Sequence, residues 1–197
     1  MFYRLTHFMK HIVVVFLCCL SLQTLSQITV NIKWQQSKAL PSNDTIYYNS
    51  QQKLIWSNFK GKPVIGGEAL AVTHSGFGFN AGVKYANNNT DINITVYCFF
   101  SKQYSWVIPG KESDYALTHE QHHFDVTYIA ANLFIKKLQA AKFTRNNYNA
   151  LLDKFYVESC RDLEKMQNDY DGKTRNGRLT TIQAEWNKKI DKQLASL

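Results

Sequence analysis

The sequence lacks the features that would place it in several broad classes. Its one sizeable apolar run, residues 12–22 (IVVVFLCCLSL), is well short of the roughly 20 residues that span a bilayer as a helix. No dense basic stretch is interleaved with aromatics, and no nucleic-acid-binding motif is present. The net charge of +8 therefore points to solubility, or to attraction towards an anionic envelope surface, and not to DNA or RNA. There is no internal repeat and no low-complexity linker. Cysteine is scarce: of the four in the chain, Cys18 and Cys19 fall in the apolar run and only Cys98 and Cys160 lie beyond it. That excludes a scaffold held together mainly by disulfides.

The start of the chain has the pattern of a secretory signal. Arg4 and Lys10 supply positive charge, residues 12–22 the apolar segment, and Thr24-Leu25-Ser26 small residues at the positions a signal peptidase reads. Cleavage is expected after Ser26, leaving Gln27 as the mature start and a periplasmic or extracellular destination. Phe16 and Leu17 precede Cys18, where a lipoprotein signal would carry a small residue. About 170 residues remain, a length that suits one domain, residues 27–197, with a substantial core. An even pair of cysteines in an exported chain suggests a Cys98–Cys160 disulfide; two buried free thiols are the alternative.

The mature chain divides into two unlike halves. Up to about residue 108 the pattern is β. Residues 28–34 alternate with period two, residues 45–48 and 54–56 are short strand candidates, and residues 69–79 and 92–100 flank a turn-rich stretch at 86–91. The last two are expected to form a hairpin. Gly76 and Gly78 suggest a bulge or a close approach. From Ser113 the pattern is helical, with a first long helix, a second over residues 147–169, a loop marked by Asp171-Gly172 and Asn176-Gly177, and a last helix over residues 180–196. Strands followed by helices argue α+β, here an N-terminal antiparallel β-sheet followed by three helices.

Residues 119–123 read His119-Glu120-Gln121-His122-His123 and fit H-E-x-x-H. On a helix, positions i and i+4 lie one turn apart on the same face, so His119 and His123 can address one metal ion. Glu120 is then placed to act as general base on a water at that ion, the arrangement of a zinc-dependent hydrolase. The segment sits inside the expected helix: Ser113 is a candidate N-cap, and Val126, Ile129, Ala130, Leu133, Phe134 and Leu138 follow at helical spacing. The bland reading is a solvated polar turn. His122, turned about 100° from each neighbour, is expected at the surface or behind the ligands, and His74 to pack or lie exposed.

Several segments together carry a resemblance: residues 54–61 (LIWSNFKG), Ser105-Trp106-Val107, residues 117–125 (LTHEQHHFD), Tyr170-Asp171 with Thr174, then Gln183 and Trp186. The set resembles a bacterial family of predicted secreted zinc-dependent proteases, a domain of unknown function. The likeness runs from about Leu54 to Trp186. It implies a zincin-like fold with H-E-x-x-H on the first long helix, a Zn2+ cofactor, and a peptide or protein substrate. The family's tail reads Y-D-x-x-T-x-H-G, and Asn176 stands where it has histidine, the natural third ligand. Asn is a poor zinc ligand. Asp171, Glu158 or Glu164 are candidates to replace it, and Tyr170 is a candidate oxyanion donor.

Three functions compete: a secreted or periplasmic zinc metallopeptidase, a non-catalytic exported binding module with a site degenerate at Asn176, and a metal-dependent hydrolase of another bond such as an envelope amide.

Overall fold

The structure, a computed structural model, describes residues 27–35, 44–87 and 89–197. The expected signal peptide, residues 1–26, lies outside the described residues. The architecture is α+β, a sheet followed by three helices. Among the described residues no helix is long and apolar enough to cross a membrane.

The sheet is built on a hairpin. β4 (Ser75–Ala86) and β5 (Asn89–Ser101) pair antiparallel from Ser75 opposite Phe100 to Ala86 opposite Asn89, and Asn87 at the turn takes φ 52°, the left-handed region Asn tolerates better than most residues. The expected hairpin is thus present, with a shorter turn than the Asn-rich stretch suggested. The other edge of β5 is shared: β1 (Gln27–Trp34) runs along residues 89–96, and β2 (Thr45–Tyr47) along residues 99–101. β1 is parallel to β5, so the sheet is mixed and not antiparallel throughout. Period-two alternation reports which side chains face the core and carries no information on a neighbour's direction.

Two other expectations for the β half are corrected. Residues 54–56 form no strand; the chain turns there through a 3-10 turn (Trp56–Asn58), held by Ile55 N donating to Asn58 Oδ1 at 2.9 Å. The segment at 69–79 is broken: β3 (Ala71–Val72) leaves the main sheet and pairs with β6 (Trp106–Val107). Gly76 and Gly78 are close-approach positions, as expected. Phe99 and Tyr97, opposite them on β5, lie over them so tightly that a Cβ would stand 2.9 Å and 2.7 Å from their side chains.

One face of β5 carries Ile92, Ile94, Val96, Cys98 and Phe100, all buried. They pack with Phe124, Ala131, Phe134 and Leu138 of α1 (Asp114–Ala140). The opposite side of α1 packs on α2 (Tyr148–Thr174) and α3 (Thr180–Leu194) through a second cluster of Val126, Ile129, Tyr170 and Ile190. Ser113 caps α1, its side chain accepting from Ala116 N at 3.1 Å, as read from the sequence. α2 does not stop at residue 169 but runs through Asp171-Gly172 to Thr174. A helical glycine costs about 1 kcal/mol against alanine. Burial of Tyr170 and Thr174, both 0 % exposed, outweighs that cost.

Cys98 and Cys160 are both free thiols, which corrects the expected disulfide. Cys98 lies on the core side of β5 beneath α1, and burial beside Asp125 pushes its thiol pKa well up. Cys160 belongs to α2 and packs, partly buried, against the same core cluster that holds Cys98, where both stay reduced.

Candidate metal centre

Being packed on both sides leaves α1 with nine consecutive buried residues, His119 to Thr127, seven of them polar or charged. The segment is therefore no solvated polar turn. Buried polar groups need partners, and each of these side chains but one finds them. Gln121 Oε1 accepts from Leu54 N at 2.8 Å and its Nε2 donates to Asp125 Oδ1 at 2.8 Å. Tyr48 OH donates to the same Asp125 oxygen at 2.8 Å, with Lys53 Nζ 3.6 Å from Oδ2. Asp125 thus clamps α1 to the chain around β2. His122 is buried, not superficial; its Nε2 lies 3.3 Å from Asp191 Oδ1 on α3. His122 Nδ1 and Asp125 Oδ2 go without a hydrogen bond while the other end of each side chain is bonded; the exception is Glu120, only 4 % exposed, whose Oε2 has no hydrogen-bond partner among the described residues.

His119, His123 and Asp171 come together. Their facing atoms form a near-equilateral triangle: His119 Nε2 to Asp171 Oδ1 is 3.1 Å, His123 Nε2 to the same oxygen 3.0 Å, and the two Nε2 atoms are 3.1 Å apart. The continuation of α2 past Asp171-Gly172 is what places Asp171 there, on the last turn of a helix packed against α1.

The far sides of both rings are held by carboxamides. His119 Nδ1 meets Gln183 Oε1 at 2.8 Å, and His123 Nδ1 meets Gln167 Oε1 at 2.5 Å. Proton counting fixes the direction at His123. Gln167 Nε2 donates to the His123 carbonyl at 2.9 Å and to Thr127 Oγ1 at 3.1 Å, so its oxygen faces the ring and His123 Nδ1 must carry a proton. Thr127 Oγ1 donates to the His123 carbonyl at 3.1 Å, so Ser75 Oγ, 2.7 Å away, is the donor to it. With protons on both Nδ1 atoms, the two Nε2 lone pairs and the Asp171 carboxylate are three acceptors pointed at one another. Such a triangle needs a cation, either a proton or a metal ion.

In the metal-free protein the proton serves. Burial pushes His123 down, but the hydrogen bond it donates to Asp171 and the charges of Glu120 and Asp171 outweigh it and raise the pKa to about 9. Burial would raise Asp171, yet hydrogen bonds from both histidines hold its carboxyl well below the usual range. The triad is also a group that can hold a metal ion. Three donors around a tetrahedral zinc at about 2.0–2.1 Å stand roughly 3.3 Å apart. The observed 3.0–3.1 Å is short by a few tenths of an ångström.

The triad opens onto a cavity of about 640 Å3 lined by residues 69–75 on one wall and by Cys160, Leu163, Gln167 and Asp171 of α2 on the other, with Glu120 of α1 among its lining residues. Thr73 Oγ1 donates to the Glu120 carbonyl at 3.0 Å, tying the first wall to α1.

The remaining candidates fall as follows. Asn176 lines the cavity, its backbone N donating to the Asp171 carbonyl at 2.9 Å. Tyr170 is fully buried, its ring stacked behind His119 with centroids 4.7 Å apart and its hydroxyl accepting from Gln183 Nε2; it supports the ligand ring and does not line the cavity. Glu158 pairs with Lys137 at 3.9 Å, away from the site. Glu164 and His74 line the cavity outside the triad. Gln167, Thr127 and Ser75 were missed from the sequence. Gln167 had a signal, since it precedes Asp171 by one helical turn and shares its face. Comparisons with models of protein families, with curated proteins and with solved structures give no match.

Proposed function

We propose that this chain is an exported zinc-dependent peptidase of the H-E-x-x-H type with a zincin-like arrangement, as its resemblance to the secreted protease family implies. One observation carries the reading: three acceptors converge on one point beside a buried, unpartnered carboxylate, at the wall of an open cavity. His119, His123 and Asp171 would hold the ion, a two-histidine, one-carboxylate set of the kind that catalytic zinc takes. When bound, zinc supplies Lewis acidity toward a carbonyl oxygen and acidifies water.

The chain supplies the rest. Gln167 and Gln183 keep a proton on each Nδ1, which leaves each Nε2 free to bind. Glu120 Oε2 takes a proton from the attacking water as the new C–O bond forms, and returns it to the leaving amine as the C–N bond breaks. The wall formed by residues 69–75 includes β3, which among the described residues is paired on one edge, with β6; such a wall suits an extended peptide. Asp171 takes the third position, so Asn176 is not needed as a ligand and the degenerate binding-module reading loses its motivation.

The test is elemental analysis of the purified protein beside His119→Ala, with peptide hydrolysis measured for wild type and Glu120→Ala. Near-stoichiometric zinc lost in His119→Ala, and hydrolysis lost in Glu120→Ala with metal retained, are the expected results. No metal in wild type after zinc is offered, or full activity in Glu120→Ala, would defeat the proposal. Iron in place of zinc would redirect it, since two histidines and a carboxylate also suit Fe(II).

A further inference from the structure

Between α2 and α3 the chain takes three consecutive left-handed residues: Arg175 (φ 50°), Asn176 (φ 50°) and Gly177 (φ 76°). Single left-handed residues end many helices, but runs of them are disfavoured for L-residues, and two of these three are not glycine. The turn is pinned all the same. Asn176 N donates to the Asp171 carbonyl at 2.9 Å, Gly177 N to Thr174 Oγ1 at 3.2 Å, and Tyr115 OH to the Gly177 carbonyl at 2.5 Å. It lies directly on the metal triad: a Cβ on Gly177 would stand 3.4 Å from the His119 ring. Backbone held in such a conformation beside a reactive centre points to a task.

That task falls to Asn176. It is half-buried, lines the cavity, and is bonded through its backbone to the ligand Asp171. Its carboxamide makes no hydrogen bond to any described residue. Three other polar groups that line the cavity are committed: Tyr115 OH to Gly177, Arg178 to the Glu68 carbonyl, Thr73 Oγ1 to Glu120. The phenol of Tyr170, expected from sequence to donate to the oxyanion, lies in the core.

We propose that Asn176 is the residue that receives the substrate carbonyl oxygen, its Nδ2–H donating to that oxygen as negative charge builds on it. The proposal rests on the peptidase reading. It also accounts for a non-glycine residue at this strained position, where glycine would be free of conformational cost.

Three measurements on wild type, Asn176→Gly and Asn176→Asp test it: zinc affinity, turnover of a fluorogenic peptide mixture, and zinc-loaded affinity for a phosphinic pseudopeptide whose charged oxygens stand in for the developing oxyanion. Both variants should bind zinc within about threefold of wild type, while kcat falls roughly 100- to 1,000-fold and KM changes little, the loss typical of one oxyanion donor. Asn176→Gly should bind the pseudopeptide at least tenfold more weakly, and without metal it should melt at or above wild type. Turnover within threefold of wild type in both variants would overturn the proposal and leave Asn176 a helix-terminating residue. Loss of zinc from Asn176→Gly would overturn it in favour of ligation. If wild type binds zinc but hydrolyses no peptide, the peptidase reading fails separately. Pseudopeptide affinity then decides: a tenfold loss in Asn176→Gly keeps the oxygen-receiving role, and equal affinity removes it.

Discussion

Replacing Gln167 by leucine isolates the part of the candidate metal centre that the sequence motif does not name. The substitution removes three hydrogen bonds: the acceptor for His123 Nδ1–H and the donors to the His123 carbonyl and Thr127 Oγ1. The carbonyl keeps Thr127 Oγ1 as a partner. The loss that matters is at the ring, where nothing then holds the proton on Nδ1. His123 becomes free to carry it on Nε2, the atom that faces His119 and Asp171. Outer hydrogen-bond partners of metal ligands are typically worth 10- to 100-fold in affinity, about 1.4–2.7 kcal/mol, and Gln167→Leu is expected in that range. Zinc affinity would be measured by competition with a chromophoric chelator, with Gln103→Leu as control, since Gln103 bonds to Asp44 on an exposed surface. A dissociation constant within twofold of the control would show that the carboxamide does not set the tautomer and would break the proton count at the triad.

The metal-free protein should lose stability as pH rises. A histidine raised from 6.5 to about 9 on folding contributes fully below its unfolded value and loses that contribution as pH climbs through 9. Asp171, held below its usual 3.8, contributes above that value and loses its share in acid. Calorimetry between pH 6.5 and 10 should therefore show a steeper decline for wild type than for His123→Asn; parallel curves would contradict the ion pair. Tyr48→Phe removes one of two hydrogen bonds to the buried Asp125 carboxylate and should destabilise by about 1–3 kcal/mol while zinc affinity holds; an unchanged denaturation midpoint would mean that the clamp is slack. A thiol reagent should label Cys160 in the folded protein and reach Cys98, 2 % exposed, only on unfolding. Mass spectrometry without reductant should find Cys98 and Cys160 as free thiols, and a bridged species would refute that assignment.

Much of this was legible in the residues, and the failures have physical causes. The β-then-α order, the β4–β5 hairpin and the Ser113 cap follow from local chemistry, and local chemistry is what a sequence displays. The direction of β1 was hidden because alternation is blind to it. The end of α2 was misplaced because Asp171-Gly172 has the composition of a turn, while the burial of Tyr170 and Thr174 is decided by partners far along the chain. That single boundary governed the site, since a loop at residue 171 leaves the third ligand open and a helical turn there sets the Asp171 carboxylate against both histidines. The disulfide was inferred from compartment and count, neither of which fixes the distance and orientation that a bridge requires.

The five residues of the motif meet four different parts of the protein because α1 is packed against the sheet, α2 and α3. Successive side chains on a helix turn by about 100°, so only positions one turn apart, His119 and His123, share a face. His119 and His123 face Asp171 on α2, Glu120 faces the cavity, Gln121 holds the chain at Leu54 through its backbone, and His122 reaches Asp191 on α3. A chance H-E-x-x-H on a solvated helix would leave all of these side chains to water at little cost. Here each is buried, so each had to be matched by a partner or carry the penalty of lacking one. His122 carries that penalty at Nδ1 and Glu120 at Oε2, and Glu120 is the residue whose proposed chemistry requires a carboxylate oxygen that no other described residue has claimed.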